Sequence, residues 1–137
     1  MEPPARDLGI LLRSLRPVLR PGTYAFAIAP EGTDLAALAP VATFREAEGL
    51  TIIAEVGRVV RAGLPVLFRA AWITLEVHSD LTAVGLTAAV STALTRAGIS
   101  CNVVAAACHD HLFVPVEAAS AALACLEALQ RDHIAKT

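Results

Sequence analysis

The sequence has too little positive charge for a nucleic-acid-binding protein. Its 11 lysine and arginine residues are outnumbered by 13 aspartate and glutamate residues, and the formal net charge is −2. Proteins that bind phosphate backbones need clustered basic side chains to displace counterions. The most basic stretch, at 11–22, is best explained as the solvated face and end of a helix. No nucleic-acid partner is therefore expected.

Cysteines and long apolar runs are also scarce. The three cysteines have no CxxC spacing, which argues against a disulfide framework or a zinc knuckle and favours reduced, mostly buried thiols. No segment offers the roughly 18 uncharged apolar residues of a membrane span. The acidic, proline-bearing N-terminus lacks the basic segment followed by an apolar segment that is typical of a signal peptide. We therefore expect a cytoplasmic protein with no membrane association.

Aliphatic residues are abundant instead. Hydrophobic residues make up 55% of the chain and aromatic residues only 4%, so the core must consist of alanine, valine, leucine and isoleucine. The hydrophobic share exceeds the usual value of roughly 45–50%. This surplus of small apolar residues favours an interface between copies, and we expect a homo-oligomer, most simply a dimer.

The first half of the chain predicts helices flanking a strand and a hairpin. Its predicted elements are a helix from Arg6 that stops before Pro17, a strand at 23–29, hairpin strands at 41–45 and 50–54, and a helix at 55–62. The first strand places Tyr24, Phe26 and Ile28 on the face that the core half covers. Gly49 suits the hairpin connection, because glycine readily adopts a positive φ. A loop with one helical turn joins the first strand to the hairpin.

The second half predicts strands alternating with two longer helices. Its predicted elements are one or two strands at 66–78, a helix at 81–97, a strand at 99–108, a turn at 109–111, a strand at 112–116 and a helix from Glu117. Ser79 or Asp80 is the predicted N-cap of the first helix, and Gly98 ends it.

The order of these elements predicts an α+β protein with an antiparallel sheet covered by helices. From Trp72 the order is β-α-β-β-α, which is a ferredoxin-like βαββαβ unit without its final strand. The first half has a matching order in which a loop replaces the first helix. We therefore predict a degenerate duplication with halves at 1–70 and 71–137, in which the segment 66–78 is shared.

Residues 78–104, HSDLTAVGLTAAVSTALTRAGISCNVV, resemble the strand-loop-helix-strand signature of ACT domains. In that family an acidic or small residue ends the first strand, a turn with glycine starts the helix, and a second glycine precedes the next strand. Asp80, Gly85 and Gly98 occupy those places. ATFREAEGLT and CHDHLFVPVE resemble motifs of compact bacterial proteins of uncharacterised function with two ACT-like halves. The resemblance extends from about Leu8 to Leu129.

The resemblance implies a regulatory domain that binds an amino acid or a related metabolite and needs neither catalytic residues nor a cofactor. In ACT domains the ligand commonly lies at the loop between the first strand and the first helix, often at an interface between two modules. Val84 stands where such loops often have proline. The ligand-binding residues carried over from the family are Asp80, Leu81, Thr82, Ala83, Val84, Gly85, Asn102 and Val103.

Physical arguments favour the same loop. The N-terminus of a helix offers free backbone N–H groups and a positive dipole end, which suit a carboxylate. Asp80 can then bind an ammonium group, and Asn102 can both donate and accept hydrogen bonds. The alternative is that Asp80 only caps the helix and that Asn102 is an ordinary strand residue.

The segment AACHDHLF places four polar residues side by side: Cys108, His109, Asp110 and His111. A zinc ion needs about four convergent ligands, but successive residues of a turn point in different directions, and His78 is the main candidate for a more distant ligand. Neighbouring strand residues face opposite ways, which argues against a Cys108–His109 or a His78–Ser79 catalytic pair. A turn with neither metal nor catalytic residue is therefore expected.

Some polar residues form a second group that can border a ligand site. Within this group, Arg45 of the TFRE segment can anchor a carboxylate by a bidentate contact. The members of the group are Arg45, His78, His109, Asp110 and His111.

Three functions are compatible with the sequence. The first is a sensor or regulatory protein that binds a small metabolite, most plausibly an amino acid, and is not an enzyme. The second is a protein-interaction or oligomerisation module that binds no ligand, which the aliphatic surplus and Val84 favour. The third is a small enzyme or metal-binding protein that uses His78 and the turn from Cys108 to His111.

Overall fold

The computed structural model describes residues 7–77 and 79–135. The helices are α1 (Leu8–Arg13), α2 (Leu35–Leu38), α3 (Val56–Arg61), α4 (Leu86–Arg96) and α5 (Ala119–Ala135). The strands are β1 (Pro17–Leu19), β2 (Tyr24–Ala29), β3 (Ala42–Glu46), β4 (Gly49–Glu55), β5 (Phe68–Leu75), β6 (Asn102–Ala105) and β7 (Asp110–Pro115). A single 3₁₀ turn, Val116–Ala118, leads into α5. No helix among the described residues is both long and apolar enough to cross a membrane.

The chain forms two compact units. Pro21–Ala71 make up one unit, called here the central unit. The described residues up to Arg20 and those from Trp72 onward make up the other, called the terminal unit. Strand β5 contributes to both, because its first four residues belong to the central unit and its last four to the terminal unit. The N-terminal segment therefore belongs to the unit that contains the C-terminal half.

The central unit is an antiparallel sheet in the order β3-β4-β2-β5. Its core lies on one face of the sheet, where α2 and α3 pack over small side chains, and the fully or nearly buried members are Ala25, Ala27, Ala29, Leu38, Ile52, Ala54 and Val59. The hairpin of β3 and β4 is confirmed, with Glu46 opposite Gly49. Gly49 has a φ of 146°.

The face of β2 that was predicted to be in the core is the wrong one. The alanines of β2 are buried beneath the helices, whereas Tyr24 and Phe26 are half-buried and Ile28 is 43% exposed. Alanine lets a helix approach a strand closely, so the small side chains face the helices and the bulky ones take the other face. There Phe26 packs edge-on against Phe68, with ring centroids 5.6 Å apart.

The terminal unit repeats the same strand order, β6-β7-β5-β1. The final strand that the second half appeared to lack is β1, which pairs antiparallel with β5 and places Val18 opposite Thr74. In both units the order is that of a ferredoxin-like βαββαβ fold. The predicted α+β fold with a tandem ACT-like repeat is therefore confirmed.

Helices α1, α4 and α5 enclose the core of the terminal unit. The buried apolar side chains here include Leu11, Leu12, Leu15, Ile73, Leu75, Leu86, Val90, Leu94, Leu112, Val114, Ala122 and Leu126. The side-chain amide of Gln130 on α5 donates to the carbonyl of Arg13 at 2.9 Å, which ties α5 to the end of α1. Burial raises the pKa of the Cys101 and Cys125 thiols. Cys108 is exposed, contrary to the expectation of mostly buried thiols.

Candidate functional site

The loop between β5 and α4 is organised by Asp80. Its Oδ1 accepts a hydrogen bond from the Thr82 N–H at 2.8 Å and another from the Thr82 hydroxyl at 2.6 Å. The N–H of Ala83 donates to the Asp80 carbonyl at 2.9 Å. These contacts form a turn, so the helix begins further along the chain.

Helix α4 therefore begins at Leu86 and not at residue 81 as predicted. Its N-cap is Gly85, in a left-handed conformation with a φ of 104°, and no side chain caps the helix. The carboxylate of Asp80, which was predicted to cap the helix, instead accepts the hydrogen bonds from Thr82 that form the turn. The backbone N–H groups of the first turn of α4 thus have no side-chain acceptor.

A cavity of about 130 Å³ lies between this loop, the start of α4 and the β6–β7 hairpin. The loop and α4 contribute Asp80 and Thr87, and the hairpin contributes Ala105 and Asp110. The first turn of α4 favours an anion because of its free N–H groups and the helix dipole. The two aspartates favour a cation. The cavity therefore has suitable chemistry for both charged groups of a small amino acid.

Half of the residues predicted to bind a ligand line this cavity, namely Asp80, Leu81, Ala83 and Gly85. Thr82 does not, and its hydroxyl is held by the Asp80 carboxylate. Val84 does not either, and 84% of its side chain is exposed.

Asn102 and Val103 are also outside the cavity, because they occupy the wrong end of β6. Asn102 is paired with Phe113 and donates from its side-chain amide to the Phe113 carbonyl at 3.4 Å. The cavity meets β6 at its last residue, Ala105, which is paired with Asp110. At about 3.3 Å per residue this is roughly 10 Å from Asn102. The sequence could have indicated Ala105, since the end of this strand and the β5–α4 loop share one end of a βαβ unit.

The CHDH segment is only partly a turn. The turn occupies 106–109, closed by a 3.0 Å hydrogen bond from the Ala106 N–H to the His109 carbonyl, and β7 begins at Asp110. The predicted turn at 109–111 is therefore displaced along the chain. Because neighbouring strand residues point to opposite faces, Asp110 lines the cavity while His111 lies on the other face of the sheet.

On that other face, His111 belongs to a polar network that the sequence did not indicate. Its Nδ1 accepts a hydrogen bond from the Trp72 indole N–H at 3.1 Å and lies 3.2 Å from the Thr74 hydroxyl. Arg20 donates from Nε to the same hydroxyl at 3.0 Å, and its guanidinium stacks 5.0 Å from the Trp72 ring. The network joins β5, β7 and the residue that follows β1 in the terminal unit.

Burial shifts the pKa of two neighbouring groups in this region. It raises the pKa of the Asp110 carboxyl, and the nearby His111 and His109 only partly offset this. Burial also lowers the pKa of His111, with His109 and Arg20 acting in the same direction and Asp110 opposing them. Neutral His111 is consistent with the network, since Nδ1 must be unprotonated to accept from the indole.

The remaining polar candidates do not converge on a metal. His109 Nδ1 is buried and has no hydrogen-bond partner among the described residues. Within residues 7–77 and 79–135, no three histidine, cysteine, aspartate or glutamate side chains are grouped so that they could hold a metal ion. His78, predicted as a member of the second polar group, lies outside the described residues.

Arg45, the other member of that group, lies in the central unit, far along the chain from the histidines. It lines a cleft of about 600 Å³ between the β2–α2 loop and the β3–β4 hairpin. The cleft shares no residue with the cavity at Asp80.

Comparison with known families identifies one domain type in both halves of the chain. Models of the ACT domain match residues 3–71 and residues 68–128. No curated protein is significantly similar to the chain.

Solved structures show the same fold over most of the chain. A crystal structure of a protein of unknown function from Vibrio cholerae, described as a possible transport protein, is 45% identical with a TM-score of 0.81, covering 90% of this chain and 95% of that one. A protein from Agrobacterium tumefaciens is 19% identical with a TM-score of 0.66, covering 85% of this chain and 89% of that one. The ligand-free regulatory subunit of aspartate kinase from Thermus thermophilus is 13% identical with a TM-score of 0.64, covering 82% of this chain and 95% of that one.

Proposed function

Because this chain belongs to the ACT-domain family, in which domains typically serve as small-molecule regulatory modules, we propose that it binds a small amino acid and acts as a sensor. The observation that carries the proposal is the cavity between the Asp80 loop, the uncapped start of α4 and Asp110.

The cavity can satisfy both ends of an amino acid. The ligand carboxylate binds the free N–H groups of Leu86 and Thr87 in the first turn of α4. The ligand ammonium group binds the carboxylates of Asp80 and Asp110. A volume of about 130 Å³ is below the roughly 300–1,000 Å³ of typical drug-sized ligand pockets, so the side chain of the ligand must be small.

A regulatory role is preferred to a catalytic one. A similar fold serves as the regulatory subunit of aspartate kinase in Thermus thermophilus. The output of the sensor is then a change in a partner protein or in a second copy of the chain.

Thermal-shift assays with single amino acids, followed by calorimetry, test this proposal. We expect a small amino acid to raise the unfolding temperature, since a ligand that binds only the native state stabilises it. Asp110→Asn should weaken binding about tenfold, because the ammonium group of the ligand then faces a neutral amide in place of a carboxylate. The matched variant Asp132→Asn, on the exposed surface of α5, should bind normally. Absence of any stabilising amino acid would refute the proposal.

A second candidate function is a protein-interaction or oligomerisation module, and an exposed apolar surface in the central unit favours it. Phe44 on β3 is 70% exposed and Ile28 on β2 is 43% exposed. Both are opposite Thr51 of β4, so they share one face of the sheet. A homodimer that buries this face should dissociate in Phe44→Ser, as measured by light scattering, while the wild-type chain remains a dimer. A monomeric wild-type chain would leave this function unsupported.

A further inference from the structure

The polar network around Thr74 is one continuous chain of hydrogen bonds. The Arg20 Nε–H donates to the Thr74 hydroxyl oxygen at 3.0 Å, and the Trp72 indole N–H donates to His111 Nδ1 at 3.1 Å. The Thr74 hydroxyl lies 3.2 Å from the same histidine nitrogen. Because Nδ1 accepts from the indole, it carries no proton, and the Thr74 hydroxyl donates to it as well.

The network leaves hydrogen-bond donors without acceptors. A neutral imidazole that accepts at Nδ1 carries its proton on Nε2, so His111 has an N–H to offer. Arg20 has further N–H donors on both Nη atoms, since Thr74 accepts only from Nε. Within residues 7–77 and 79–135, neither the Nη atoms nor His111 Nε2 has a hydrogen bond or an ion pair. A group that completes the network must therefore supply acceptors.

The charge around these donors is positive. Arg16, which comes before β1, has its Nε 3.8 Å from the Glu76 carboxylate. Arg20 is half-buried, but it forms no ion pair with any carboxylate in the described part of the chain. Asp110, next to His111 in β7, lines the cavity on the opposite face of the sheet. A partly desolvated guanidinium without a counter-ion favours a bound anion.

The Arg20 guanidinium is held in position before any ligand arrives. Its Nε is fixed by the hydroxyl of Thr74, which is fully buried, and its central carbon lies 5.0 Å from the centre of the Trp72 ring. Trp72 in turn stacks on the buried Phe113, with ring centroids 6.1 Å apart and an angle of 20° between the rings. Donors that are fixed in this way lose little conformational entropy when they bind a ligand.

From these contacts we propose that Arg20 and His111 bind a small oxyanion of the phosphate class, either the free ion or the phosphate group of a metabolite. The Nη groups of Arg20 form a bidentate contact with the phosphate oxygens. The Nε2–H of His111 donates to a further oxygen, which a carboxylate bound in the same way does not have.

This site does not rest on amino-acid binding at Asp80. Asp110 faces the cavity at Asp80, whereas its neighbour His111 faces the Thr74 hydroxyl on the other side of the sheet. An anion bound at Arg20 therefore leaves the cavity at Asp80 open, and either site can fail without the other.

A titration of the isotope-labelled full chain with inorganic phosphate, at constant ionic strength, tests the proposal. Trp72 is the sole tryptophan, so its fluorescence reports on the guanidinium that stacks on it. We expect saturable changes in this fluorescence and saturable amide NMR shifts at Arg20, 72–74 and His111. Chloride should give neither, and acetate should bind about fivefold more weakly than phosphate, because it lacks the oxygen for His111.

Glycerol phosphate distinguishes the two sources of the anion. If it binds more tightly than inorganic phosphate, the site is assigned to a phosphorylated metabolite. Weaker binding of glycerol phosphate assigns the site to the free ion.

Variants test the assigned contacts. Arg20→Gln should weaken phosphate binding about tenfold, because the charged donors are lost. Arg20→Lys should bind with intermediate affinity, since an ammonium group keeps the charge but not the bidentate geometry. The matched variant Arg131→Gln, which removes an exposed guanidinium from α5, should bind as the wild-type chain does.

The comparison of anions on the wild-type chain needs no variant, and the amide spectrum of each variant shows whether it is folded. The proposal is overturned if phosphate gives no saturable change, if its shifts lie away from Arg20 and His111, or if acetate binds as tightly as phosphate. Wild-type affinity in a folded Arg20→Gln or Arg20→Lys variant would also overturn it.

Discussion

Thr74 is a fully buried polar side chain of the terminal unit, and its surroundings show how single residues fix this structure. Its hydroxyl has contacts with Arg20, which directly follows β1, and with His111 of β7, and these two strands lie on either side of β5. A buried hydroxyl without a partner costs about 1–3 kcal/mol, so the three side chains are interdependent. Trp72, whose indole donates to His111, is the sole tryptophan of the chain and reports on the network directly.

His111 should make the stability of the protein depend on pH. Burial holds its folded-state pKa below the ordinary value of about 6.5. The unfolded chain therefore binds more protons than the folded chain as the pH falls through about 6.5, and the free energy of unfolding decreases. We expect wild-type protein to lose more stability between about pH 7.5 and 5.5 than His111→Gln does, as measured by urea unfolding with Trp72 fluorescence.

The comparison with His111→Gln isolates this group, because both proteins retain Asp110 and the other three histidines. Glutamine can still accept from the indole N–H and does not titrate. Equal pH dependence in the two proteins would show that folding does not lower the pKa of His111.

Single residues were the least predictable level of the site. Asp80 was identified from a local helix-capping signal and Gly85 from the family resemblance, and both line the cavity. Asp110 was predicted only in the second polar group, and Ala105 was missed, because their place beside Asp80 depends on the register of β6 against β7. Asn102 was carried over from the family resemblance, and it lies at the opposite end of β6 from the cavity.

At the level of elements, β1 shows how a short strand completes a fold. Pro17 is tolerated in it because it lies opposite Leu75 at a non-hydrogen-bonded position of the ladder. Arg20 N–H donates to the Trp72 carbonyl and Glu76 N–H to the Arg16 carbonyl, both at 2.8 Å. Since hydrogen-bonded pairs alternate along antiparallel strands, Val18 is at a hydrogen-bonded position and Leu19 is not.

Proline substitutions at these two positions test the role of β1. Val18→Pro removes an N–H that bonds to β5 and should lower the free energy of unfolding by about 2 kcal/mol. Leu19→Pro introduces the same ring where the N–H points away from β5, and should cost less than half as much. Urea unfolding of the two variants checks this. Equal losses of unfolding free energy would mean that the backbone hydrogen bonds between β1 and β5 do not contribute to stability.

Apart from β1, which was not predicted, the types of the elements were predictable, but their ends were not. The hairpin at Gly49 and the helices α3 and α5 follow from period and turn residues. The start of α4 was predicted five residues too early because an aspartate before an apolar run suits both an N-cap and a tight turn, and Asp80 forms the turn. The partner of β1 is separated from it by more than fifty residues, so no local signal could have placed it.

At the scale of the whole molecule, two units with the same strand order have cavities of different character. The terminal unit has a small cavity between a helix start and two aspartates, and the central unit has a cleft more than four times larger with one arginine and three glutamates. Each cavity lies at the loop that follows the first strand of its unit. The two ACT-like units therefore differ in the size and the charge of the cavity beside this loop.

The central claim, that the chain binds an amino acid at the Asp80 loop, is tested most directly by a two-dimensional amide NMR titration of labelled protein with pooled small amino acids. We predict saturable shifts at 79–87 and at Ala105 and Asp110, with the start of β6 at Asn102 unchanged. An absence of saturable shifts in this region, or shifts confined to the exposed face that includes Phe44, would contradict metabolite binding there and favour the interaction module.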